Sequence, residues 1–180
     1  MQARGVTVAH CIGSNTKAGK GVAPVREMAA LGIPFGLGTD GPSSGNTLSM
    51  FDQLRLFAVC HKTANHDRAL FPAKQIVAAA TRGGAAALHA QDRIGMLKPG
   101  MRADLQVVAT DGVQMFPVYN PYSALVYSAN AHDVRHVMVN GRLLVRDGQL
   151  LSLDLAQARR ALADEMGPFM RAAEKYADMI

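Results

Sequence analysis

Asp40 lies in the segment Gly36-Leu37-Gly38-Thr39-Asp40-Gly41, just beyond a short apolar run. A carboxylate there can take up a proton or bind a metal cation, and the glycines on either side let a substrate or a backbone come close. In parallel α/β folds, ligands gather at the carboxyl ends of strands, where this aspartate falls. The same side chain could instead cap the helix that follows or hydrogen-bond within a turn. Both readings stand on the residues alone, and one carboxylate does not name a reaction.

His10 ends the preceding apolar run and is expected on the same rim as Asp40. There it could touch substrate or carry a proton, or it could fix its loop through Ser14 or Asn15. His61 and His66 fall at a helix end and in a polar loop, and His89 follows an Ala-rich helix, so capping or solvated roles are expected. His132 and His136 are four apart, but His136 reads as a strand residue. Along a strand that spacing is about 13 Å, too far for a shared metal. The run Lys17-Ala18-Gly19-Lys20-Gly21 lacks the Gly-Lys-Ser/Thr order of a phosphate loop. Cys11 and Cys60 form no CxxC pair, which excludes a zinc knuckle, and a disulfide is not expected.

The elements that must position these groups follow from the patterning of the 180 residues. Residues 6–9 read as a buried strand, 11–21 as a polar glycine-rich loop, 22–31 as a helix ended by Gly32, and 33–37 as a second strand. That order is the unit of a parallel sheet flanked by helices. Thr47 is placed to cap a helix running to Lys62, residues 63–70 read as a loop, and Pro72 opens a further helix. In that helix Gly83-Gly84 marks either a break or a close packing point. After residue 94 the pattern changes to strands and turns: residues 103–109, then 134–139 and 142–145 around Asn140-Gly141, with a second turn at Asp147-Gly148. Asn-Gly between β-rich runs signals a type I′ hairpin, since both positions need positive φ. Residues 154–177 repeat apolar side chains as one face of an amphipathic helix, disturbed at Gly167-Pro168.

Composition narrows the function classes. At 49% hydrophobic and 18% charged, the chain has an ordinary globular make-up. The net charge is +5, but the 19 Lys and Arg are scattered rather than clustered, which argues against nucleic acid as a partner. No run reaches the roughly 20 apolar residues of a membrane span, and residues 1–6 lack the layout of a signal peptide. A cytoplasmic setting without a membrane partner is the expectation.

Five stretches, in order, resemble one family. They are Val8-Ala9-His10-Cys11-Ile12-Gly13-Ser14-Asn15-Thr16-Lys17, then Leu37-Gly38-Thr39-Asp40-Gly41-Pro42-Ser43-Ser44-Gly45-Asn46, then Ile94-Gly95-Met96-Leu97-Lys98-Pro99-Gly100-Met101-Arg102-Ala103-Asp104-Leu105. Asn120-Pro121-Tyr122-Ser123-Ala124-Leu125-Val126-Tyr127 and Val137-Met138-Val139-Asn140-Gly141-Arg142 complete the set. Together they resemble the amidohydrolase superfamily, and within it the branch of methylthioadenosine/S-adenosylhomocysteine deaminases, with related guanine deaminases and triazine hydrolases. Two departures stand out: Ile12-Gly13 where that family usually has a proline, and Gly45 where an asparagine is common.

The resemblance implies an α/β fold: the C-terminal part of a (β/α)8 metal-dependent hydrolase barrel over residues 1–93, part of a small composite β-sandwich over 94–152, and a terminal helix over 153–180. It implies that Asp40 is catalytic and ligates Zn²⁺ or Fe²⁺, and that His10 and Asn15 contact a small N-heterocyclic substrate. It also implies that the family's other metal histidines and its catalytic glutamate precede residue 10. The expected activity is hydrolysis of a non-peptide carbon–nitrogen bond by an aminohydrolase of which this is an incomplete segment, with too few ligands to act alone. The alternative is a non-catalytic remnant acting as a folding or dimerisation module, in which a homo-oligomer covers open strand edges.

Overall fold

A computed structural model describes residues 1–179, so residue 180 of the terminal segment lies outside the described residues. Strand β1 (Val8–His10) lies parallel to β2 (Phe35–Leu37), in the register Val8 to Phe35 and His10 to Leu37. Between them run α1 (Ile12–Lys17) and α2 (Val25–Ala30). After β2 come α3 (Pro42–Gly45), α4 (Met50–Ala64) and α5 (Ala73–Ala78), the last continuing through a π-helical turn at Ala79–Gly83 into α6 (Gly84–Ala87). The expected strand, helix, strand unit is therefore present and parallel.

Three local expectations are corrected. Residues 12–17 are not loop but helix, although Gly-Ser-Asn-Thr is a poor helix sequence. Ile12 is wholly buried and anchors this turn on the core, so packing overrides propensity. The helix after it starts at Val25 rather than at residue 22, because Pro24 disfavours helical backbone at the residue before it. The cap of α4 is Ser49, whose hydroxyl accepts the Asp52 N–H at 3.3 Å. Thr47 supports it by accepting the Ser49 N–H and donating to the Asp52 carboxylate.

Residues after α6 form an antiparallel sheet in the order β3 (Leu105–Val108), β4 (Val134–Val139), β5 (Arg142–Arg146) and β6 (Gln149–Leu150). A short helix α7 (Pro121–Ser123), capped by Asn120, and a π turn at Ala124–Ser128 pack between this sheet's connections and the earlier helices. Asn140 and Gly141 have φ of 49° and 78°, and Asp147 and Gly148 of 50° and 76°, so both expected turns form. The last helix, α8 (Leu155–Ala173), runs through Pro168. Its expected apolar face is left exposed among the described residues: Leu162 and Phe169 are 62% and 63% exposed.

The core gathers on α4. Phe51, Leu54, Phe57 and Ala58 recur at helical spacing and are all buried, against Ile12, Leu37, Ile76 and Val126. Phe57 is at the centre, its ring 5.1 Å from that of Phe71 and 6.0 Å from that of Phe35. The second support of the strand pair is a backbone contact. A Cβ on Gly83 would lie 2.3 Å from the Phe35 carbonyl oxygen, and one on Gly36 would lie 2.7 Å from the Gly84 Cα. Gly83-Gly84 is thus the close packing point, not a break.

One buried polar pair interrupts this core. His10, at the end of β1, and His61, on α4, are each about 2% exposed or less, with their Nε2 atoms 3.0 Å apart. One ring donates and the other accepts, so at least one of the two must be neutral. Burial pushes both rings below the ordinary imidazole range, and burial first and the neighbouring His10 second bring His61 to about 4. His61, expected at a solvated helix end, is instead part of the core because it falls four residues after Phe57 on the same face.

Two outcomes are expected. Gly83→Ala should lower the denaturation midpoint by about 1–3 kcal/mol of stability through overpacking, whereas Gly84→Ala, whose Cβ meets nothing within 4 Å, should leave it unchanged or raise it slightly. The histidines set a pH dependence. Above their unfolded value near 6.5 they contribute nothing, and between 6.5 and about 4 the unfolded chain takes up protons that the folded chain excludes. Urea unfolding should therefore show about 2–3 kcal/mol lost across that window, and the loss should flatten in the double variant H10Q/H61Q.

Candidate active site

The two parallel strands end side by side, and the chain leaves them as the β1–α1 junction and the Gly38–Gly41 turn. Gly38 donates to the His10 carbonyl at 3.1 Å, which keeps these exits together. Asp40 then stands exposed at the rim with φ of 59°, a left-handed conformation unusual outside glycine. Such a conformation costs on the order of 1 kcal/mol and persists where the surroundings over-determine it.

Those surroundings are specific. The Gly41 N–H donates to Oδ1 of Asp40 at 2.7 Å, and the Ser14 hydroxyl donates to Oδ2 at 2.8 Å. The Gly41 N–H first and the Ser14 hydroxyl next, with smaller help from Ser44 and Lys20, hold the carboxyl below the usual carboxylate range. The group is therefore an ionised acceptor at neutral pH. The turn reading of Asp40 is met in part by the Gly41 bond, while α3 has Gly41 as its N-cap and no side-chain cap. A second bridge joins the same two loops: Lys17 Nζ donates to Oδ1 of Asn46.

The other expected site residues part company. His10 points into the core and bonds His61 rather than Ser14 or Asn15, so it does not line the rim with Asp40. The strand's alternation decides this: its last side chain faces α4, not the opening. Asn15 is half-buried on α1, and its side chain makes no hydrogen bond to the described residues. His136 is occupied by Asp147, whose N–H it accepts at 3.3 Å and whose carboxylate lies 3.7 Å away, so it forms no metal pair with His132. Ser14, the residue that actually reaches Asp40, was legible only as a possible partner of His10. Its signal is its place one helical turn into a polar segment at a strand end.

No three His, Cys, Asp or Glu side chains converge as metal ligands among the described residues. A catalytic zinc takes about three protein ligands. Asp40 would supply one such ligand at most, and both its oxygens already accept hydrogen bonds. Within this chain, then, the donor set does not fit a metal by itself.

Comparison with known proteins places this geometry. The chain is 41% identical over 174 residues to 5-methylthioadenosine/S-adenosylhomocysteine deaminase of Nitratidesulfovibrio vulgaris, an alignment that takes in 93% of the chain and 39% of that enzyme. It is 42% identical over 151 residues to 5'-deoxyadenosine deaminase of Methanosarcina barkeri, covering 84% of the chain and 34% of the relative. Among solved structures, a zinc-bound adenosine deaminase from Xanthomonas campestris superposes with a TM-score of 0.89 at 33% identity, over 95% of the chain and 39% of the enzyme. The chain thus spans less than two fifths of the length of these relatives. The description of the Amidohydrolase family matches residues 1–144. By that match and these likenesses, the chain belongs to the amidohydrolase family.

Proposed function

We propose that this chain is the C-terminal portion of an aminohydrolase that deaminates an adenine-containing nucleoside or a similar N-heterocycle, with Asp40 as its reactive carboxylate. The observation that carries the reading is the fixed, ionised Asp40 at the mouth of the parallel strand pair. Hydrolytic deamination adds water to a ring carbon and releases ammonia. A carboxylate held ionised can take the proton from the attacking water and pass it to the leaving amine. Oδ2 already shares a hydroxyl proton with Ser14, and Asn15, with its amide unengaged, is the nearby group left to meet a substrate. The zinc seen in the adenosine deaminase relative would need ligands beyond those that residues 1–179 bring together.

On this reading residues 1–93 form the last part of the barrel, 94–152 supply one part of a composite β-sandwich, and 153–180 are a separate terminal segment, helical over Leu155–Ala173. A second reading has its own observation. The exposed apolar stripe of α8, with Leu162, Phe169 and Met170 uncovered, suits a non-catalytic folding or dimerisation module.

Two measurements separate them. A chimera joining the N-terminal part of the Nitratidesulfovibrio deaminase to this chain should bind zinc and release ammonia from methylthioadenosine, and Asp40→Asn in it should lower kcat about 10²–10⁴-fold. An inactive, metal-free chimera that folds would sink the aminohydrolase reading. For the 180-residue chain alone, elemental analysis and size-exclusion chromatography should show little metal. A stable metal-free dimer there would favour the module.

A further inference from the structure

Helix α4 carries Gln53, Phe57 and His61 at successive four-residue steps, which puts them on one face. All three are essentially fully buried. Phe57 belongs to the core, but an amide and an imidazole on a core-facing stripe are costly unless they bond something that matters. The Oε1 of Gln53 accepts the Gly13 N–H at 2.9 Å, and Nε2 of His61 meets Nε2 of His10 at 3.0 Å. Their remaining nitrogens, Gln53 Nε2 and His61 Nδ1, are buried without a hydrogen-bond partner among the described residues. Neither side chain is thus retained for a complete set of its own bonds.

What they share is the segment they hold. His10 is the last residue of β1, and Gly13 lies in the first turn of α1, immediately before Ser14. The fit is tight at Gly13, where a Cβ would come within 2.8 Å of Gln53 Nε2, so the absence of a side chain there makes room for the amide. Helix α1 packs on α4 on one side and on α3 on the other. Fixing the strand end and the first helical turn leaves little freedom for Ser14, whose hydroxyl lies 2.8 Å from Asp40 Oδ2. The same α4 face is one helix away from the solvent-exposed carboxylate that it steadies.

We propose that Gln53 and His61 are positioning residues: they clamp the β1–α1 junction from behind so that Ser14 meets Asp40. The functional weight of the clamp rests on the reading of Asp40 as the reactive carboxylate, but the clamp itself is a claim about geometry. Neither residue touches Asp40, and each acts through the junction.

The test is nuclear magnetic resonance of the 180-residue chain, with the Gly41 amide and the Asp40 carboxyl carbon as reporters of the carboxylate's orientation. Ser14→Ala sets the shift expected when Oδ2 is released. Gln53→Met and His61→Phe should move both signals in that same direction. Gln53→Glu, which keeps an acceptor oxygen for Gly13, should return them toward the unsubstituted positions. Leu54→Ala, a cavity on the same helix that removes no hydrogen bond to the junction, should leave them in place. Reporters unmoved in folded Gln53→Met, or moved equally by Leu54→Ala, would overturn the clamp. If Gln53→Met does not fold, hydrogen exchange at Gly13 in the unsubstituted chain decides: protection supports the bond, and exchange at the rate of a free amide refutes it. An inactive chimera combined with shifting reporters would remove the deaminase reading and leave the clamp standing.

Discussion

The packing of α4 against the parallel strand pair is the constraint on which the other features depend. Phe57 fills the space behind β1 and β2, with Phe35 stacked on it and Phe71 beside it. Burying one phenylalanine contributes roughly 1.5–3 kcal/mol, and this one organises His10 of β1, Phe35 of β2 and Phe71 just before α5. From the opposite side the glycine contact at Gly83-Gly84 brings a helix against β2 at backbone distance. A two-stranded sheet has little stability alone, so these two supports are what hold its ends in register.

The register in turn sets the rim. With His10 opposite Leu37, the chain segments leaving the two strands emerge together, and Ser14 from one reaches Asp40 on the other. Lys17 and Asn46 tie the same loops farther out. The strained backbone of Asp40 is therefore held both by its own turn and by a distant neighbour. Its carboxylate is exposed, yet its direction and ionisation are fixed by groups 26 and 1 residues away in sequence.

Polar groups within this core are unusual enough to need an account. His10 and His61 satisfy one nitrogen each at the other's expense, and Gln53 spends its oxygen on a backbone N–H. Apolar residues of similar size would pack there at less cost in desolvation. Their retention makes sense if the gain is placement of the junction rather than stability. By contrast, the apolar stripe of α8 has no such partner among the described residues and stays exposed.

Local chemistry was enough to read much of this protein from its residues. Asn140-Gly141 and Asp147-Gly148 dictated their turns, because positive φ at both positions leaves few alternatives. Strand, helix, strand order announced the parallel pair, Gly38-Thr39-Asp40-Gly41 drew attention to Asp40, and five motifs in order pointed to the family that the comparisons bear out. The tertiary structure decided what depends on distant residues. Residues 12–17 became helix because buried Ile12 is held by the core. His10 turned inward because α4 offered His61, and Ser14 rather than His10 came to face Asp40. Periodicity reports which face of an element is apolar, but not which element will meet it, and every one of these pairings lies between segments at least 26 residues apart in sequence.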